Sequence, residues 1–207
     1  MKANAFHPLV TYWRGFQNQF RRAVNENGLP ALMNAWMGED QRTLYYSETI
    51  FPEVAEKLGL RLEMRLLNVD FAMCSQDGSG LGVPLAFIES ENKIATTKDE
   101  IRKLCCVSAP LRVLVTVAEW DDTPGTWKHG GRKREFLALW ETIIKRHFAT
   151  WPQPAVFGIL VGEASFADTR LRFYTHAFGP AGECLDGEDE VALEFAVKEP
   201  WPRNPTG

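Results

Sequence analysis

Apolar positions along this chain keep a helical spacing at first and then shorten it. Val10, Trp13, Phe16, Phe20 and Val24 recur at three- and four-residue steps, which puts one apolar stripe on a helix. Asn25-Glu26-Asn27-Gly28 followed by Pro30 is a stop signal, and a second short helix is expected over Pro30–Met37. A third is expected over Thr43–Leu58, interrupted or restarted near Pro52 and ending at Gly59. From Leu60 the period changes. Leu60–Met73 is rich in strand formers and partly alternating, and the polar CSQDGSGLG stretch closes it as a turn. Val83–Glu91 reads as the next strand, so the two predict a hairpin.

Thr97-Lys98-Asp99-Glu100 has the S/T-x-x-E form of a capping box and opens a helix through Val107, with Ile101, Leu104 and Cys105 on its apolar face. Leu111–Ala118 and Ala155–Gly162 are near-continuous apolar runs, suited to strands buried on both faces. Between them a loop at 119–131 leads into a helix over Arg132–Phe148. Leu171–Phe178 and Val191–Val197 complete the sheet, with the acidic ECLDGEDE stretch as a solvated loop between them. No repeat, low-complexity segment or linker divides the chain. The pattern predicts one α/β domain over residues 1–207, with a helical N-terminal layer.

Composition narrows the class. With 207 residues, 45% of them hydrophobic and 24% charged, the chain can bury a sizeable core, which argues against disorder. The net charge of -4 arises at the C-terminal end, since residues 151–207 carry 4 basic and 9 acidic groups. A polybasic tail is thereby excluded, whereas a local basic groove is not. No apolar run approaches the roughly 18–20 residues of a membrane span. The opening MKANAFHPLVTYWRGF has a polar start and Arg14, unlike a secretory signal. Cys74, Cys105, Cys106 and Cys184 form no C-x-x-C pair and no zinc-like spacing, so buried thiols in a reducing cytoplasm are expected.

The candidate chemistry sits on the hairpin. Strand side chains alternate faces, so Glu89 and Glu91 point the same way, and pairing would bring Asp70 within reach of that face. Three carboxylates converging there would repel one another unless a cation sat between them. All-oxygen donors suit Mg²⁺ or Mn²⁺, which can polarise a phosphodiester and activate water. E-x-E also occurs at Glu188 and Glu190, so the spacing alone says little. The position of Glu89 says more, because it follows the apolar run LAFI and precedes a helix and a wholly apolar strand. The run Lys128-His129-Gly130-Gly131-Arg132-Lys133-Arg134 is the one strong cationic cluster, and it opens a helix, a favourable place for phosphate contact.

Asp70 on one strand, Glu89-Ser90-Glu91 on the next, then a helix and a buried strand resemble the PD-(D/E)xK nuclease superfamily. The resemblance covers about residues 43–118, within a motif-bearing core of about 43–163. It implies a restriction-endonuclease-like mixed sheet flanked by helices, and a Mg²⁺- or Mn²⁺-dependent endonuclease acting on DNA, with a homodimer as one arrangement. By that resemblance Asp70 and Glu89 hold the metal and Glu91 positions or deprotonates water, while Lys128, Arg132, Lys133 and Arg134 of the cationic run are the expected DNA contacts. Val69 stands where the family has Pro, and Glu91 where it has Lys, an E-x-E variant as in BamHI-type restriction enzymes. Lys103, on the following helix, is a candidate for the missing lysine, with a solvated helix charge beside Arg102 as its plain alternative. Glu48, Glu53 or Glu56 would supply a further upstream acid. The same resemblance also fits a non-catalytic relative that binds nucleic acid or protein.

Overall fold

A computed structural model describes residues 9–76, 78, 80–122, 129–165, 169–186 and 190–197. Helix α1 (Val10–Ala35) buries the N-terminal apolar stripe, with Trp13, Phe16, Phe20 and Val24 fully enclosed. Its helical path breaks at Gly28, whose φ of 75° lies in the left-handed region, so two helical segments meet there, as the stop signal and Pro30 predict. Helix α2 (Glu39–Leu44), a π-helical stretch (Tyr45–Ile50) and α3 (Phe51–Lys57) follow as one run. Pro52 does not restart the helix; it follows the π-helical stretch directly, at the beginning of α3, and the run continues through it. Gly59, at φ 68°, ends the run where expected.

Seven strands form one mixed sheet in chain order: β1 (Arg61–Met64), β2 (Phe71–Cys74), β3 (Pro84–Glu91), β4 (Leu111–Val117), β5 (Val156–Ser165), β6 (Arg170–Phe178) and β7 (Glu190–Ala196). Strands β3, β4 and β5 run parallel, and every other neighbouring pair is antiparallel. Two helices make the parallel connections, α4 (Thr97–Cys106) and α5 (Lys133–Thr150). The expected strand over Leu60–Met73 is in fact two strands paired with each other. Between them Arg65, Leu67 and Asn68 all take positive φ, a turn built without glycine or proline and therefore unmarked in the sequence.

Sheet alternation divides the core into two layers. Phe71, Met73, Ile88, Val113, Val115, Leu160 and Phe173 pack under α1 and α3. Phe87, Leu114, Phe157, Ile159 and Val161 pack under α4 and α5, against Ile101, Leu104, Phe136, Trp140 and Ile144. Gly158 on β5 admits the Trp13 ring so closely that a Cβ there would lie 2.1 Å from it. The result is three layers, helices on both faces of a mixed α/β sheet. Among the described residues no helix is long and apolar enough to cross a membrane.

Two local expectations change. The capping box does not form: the Thr97 hydroxyl donates to the Ile94 carbonyl at 2.6 Å and accepts the Trp140 indole N–H at 3.0 Å. None of the four cysteines is in a disulfide, but only Cys74 and Cys105 are buried; Cys106 and Cys184 are exposed.

Candidate functional site

The register of β2 and β3 pairs Phe71 with Ile88, and Asp70 lies one residue before the start of β2. From there its Oδ2 accepts the Ser90 amide N–H at 3.0 Å, which fixes it against β3. Glu89 projects from β3 on the side covered by α4 and is 1% exposed. Glu91 sits two residues further along, half-buried, with Oε1 accepting the Lys93 amide at 2.8 Å. Both acids stand at the carboxyl end of the parallel strands, where open α/β sheets place their ligands.

Helix α4 completes the cluster. Lys103 places its ammonium 2.9 Å from Glu89 Oε1 and 2.6 Å from Glu100 Oε2. It is therefore not merely a solvated charge beside Arg102, whose own partner is Asp99 at 3.1 Å. Burial pushes the Glu89 carboxyl from an ordinary 4.5 up to about 8; the Lys103 ammonium pulls against that rise, and the charges of Asp70 and Glu100 add to it. Burial works to lower the Lys103 value, but its contacts with Glu100 and Glu89 outweigh it and hold the proton on more firmly than usual.

Among the described residues no three His, Cys, Asp or Glu side chains are grouped to cage a metal. The donors present still fit a hard cation. Glu89 Oε1 is buried, has no aligned hydrogen-bond donor and already holds a positive charge beside it. Asp70 and Glu89 offer the two carboxylates with which Mg²⁺ is commonly content, its other positions being water.

The upstream acids do not join this group. Glu53 accepts the Asn27 side-chain amide at 2.8 Å and pairs with Lys57, under the opposite face of the sheet. Glu48 and Glu56 are exposed, and the π-helical stretch between them shifts the shared face that their eight-residue spacing would give. In their place the N-terminal layer sends Arg42, nearly buried, to the Asn92 side chain just beyond Glu91, at 2.7 Å. Fifty residues separate that pair, so no local pattern announces it. Glu100 was masked differently, since its spacing from Thr97 suggested a cap.

The cationic run lies beyond β4. Gly131 donates to the Glu119 carbonyl and Lys133 to that of Asp121, which sets the start of α5 beside the end of the strand. Arg132 is held in a two-point pair by Glu135, and Arg134 meets Asp122 at 2.9 Å. Lys128 lies outside the described residues. A second buried acid, Glu163 on β5, accepts the Trp120 amide at 2.6 Å and the Tyr174 hydroxyl at 2.8 Å, pinning the loop after β4 to the sheet.

No protein-family model matches the chain, and no curated protein matches it in sequence. The function must be read from the site.

Proposed function

We propose that the protein is a divalent-metal-dependent phosphodiester hydrolase acting on DNA, built on a restriction-endonuclease-like core. The observation that carries this reading is the contact of Lys103 on α4 with Glu89 on β3, 2.9 Å apart. Beside it Asp70, just before β2, accepts the Ser90 amide next to Glu89, and its charge acts on Glu89. An antiparallel strand pair, a helix and a parallel strand in that order supports the same fold reading. Asp70 and Glu89 would hold Mg²⁺ or Mn²⁺. That ion, when bound, polarises the phosphodiester and acidifies water.

The remaining roles belong to the chain. Ser90 keeps Asp70 turned toward β3 through its amide. Lys103 supplies the positive charge that the E-x-E pattern lacks on β3, aimed at charge developing on phosphate. Glu91 keeps one oxygen on the Lys93 amide and offers the other to orient water or take its proton. Arg132, Lys133 and Arg134 stand at the same end of the sheet, where they can meet backbone phosphates.

Calorimetry with Mn²⁺, and cleavage of a long, varied DNA such as a phage genome, test the reading together. Wild type should bind Mn²⁺ and cleave, whereas Asp70→Asn should lose both. A chain that binds Mn²⁺ and DNA but cuts no duplex or single strand would instead be a non-catalytic relative, a reading favoured by the glutamate at position 91. Absence of Mn²⁺ binding would remove both the metal and the hydrolase.

A further inference from the structure

Glu100 has no role in the proposed function, yet it is the nearer of the two acids at Lys103. Its Oε2 lies 2.6 Å from the ammonium, against 2.9 Å for Glu89 Oε1. It is free for this task because the cap it was expected to close is absent, Thr97 being committed to Ile94 and Trp140. Glu100 and Lys103 are three residues apart on α4, one turn along the same face, so their contact survives any change at β3. Glu89, by contrast, is the acid that the proposed metal would take.

A divalent ion at Glu89 would repel an ammonium beside the same oxygen. Lys103 is a long, flexible side chain that is 37% exposed, so without a second anion it would swing into solvent. We propose that Glu100 is a positioning residue: it retains the Lys103 ammonium at the site when Glu89 passes to the metal. In the metal-free protein the two acids share the ammonium; with metal bound, Glu100 holds it alone. This inference rests on the metal reading and adds to it the means by which the lysine stays in place.

Heteronuclear NMR of ¹⁵N-labelled protein tests it without an activity assay. The side-chain ammonium resonance of Lys103 reports whether that group is held, and the Ser90 amide, bound to Asp70, reports metal arrival. In wild type, MgCl₂ should move the Ser90 amide to saturation while the Lys103 resonance shifts and persists. In Glu100→Ala the Lys103 resonance should be present without Mg²⁺, held by Glu89, and vanish at saturation. Should that variant fail to fold, Glu100→Gln, uncharged and of equal size, carries the same expectation. Loss of the Lys103 resonance in saturated wild type, or its survival in the saturated variant, overturns the proposal while leaving the metal site standing. A Ser90 amide unmoved by Mg²⁺ removes the metal reading, and the role of Glu100 falls with it.

Discussion

Glu89 shows what a buried acid costs the fold. Its carboxyl is buried beside two other carboxylates, and one ammonium offsets only part of that burden. A carboxyl raised in the folded state from 4.5 to about 8 is protonated in both states at low pH. As pH climbs through that interval the unfolded chain releases its proton first, so stability falls. Glu89→Gln removes the charge and should flatten this fall. Thermal unfolding should place the variant above wild type at pH 8, with the gap closing toward pH 5. An unchanged pH profile would mean that Glu89 ionises without penalty. The buried Arg112 on β4 poses the converse case, a cation between the Phe148 and Phe157 rings, each 5.3 Å away. Its NH2 group donates to the Gln153 side chain, and burial lowers its value to about 10.

Among the elements, β5 carries the closest fit between layers. Its residues on one face support α5, while Gly158 and Gly162 on the other make room for Trp13 and Trp36. A Cβ at position 158 would need the fully buried Trp13 ring to move by more than an ångström, and that indole is anchored to Asp186 at 2.5 Å. Gly158→Ala should therefore destabilise by about 1–3 kcal/mol or more, as overpacking does. Denaturant titration would measure it, and a loss below about 0.5 kcal/mol would show that α1 can slide. Helix α4 teaches a related lesson. Its apolar face, Ile101, Leu104 and Cys105, packs as its periodicity predicts, whereas its first turn does not. Tertiary contacts took the Thr97 hydroxyl from the cap, because Trp140 would otherwise bury an unpaired indole N–H.

For the whole molecule, the charges beside β4 set how strongly DNA could be held. Arg132 and Arg134 each face an acid, so part of their charge is already spent within the chain. Replacing Arg132, Lys133 and Arg134 with Ala should reduce the salt slope of DNA affinity by less than the ~2.7 of three full phosphate contacts. A filter-binding series over salt concentration would read this, and an unchanged slope would return the segment to ordinary surface charge. The α/β class, the apolar stripe of α1, the buried runs of β4 and β5 and the shared face of Glu89 and Glu91 were all determined by local period, because side-chain direction follows backbone geometry. Splitting of the first strand at Arg65, Leu67 and Asn68 was not, since Arg and Leu do not favour positive φ and a lone Asn does not mark a turn. Nor was the company kept by Lys103: its spacing fits a solvated helix charge equally well, and only the packing of α4 over β3 sets it against Glu89. Sequence fixes which way a side chain points along its own element; which elements face each other, and so which charges meet, is decided by the fold.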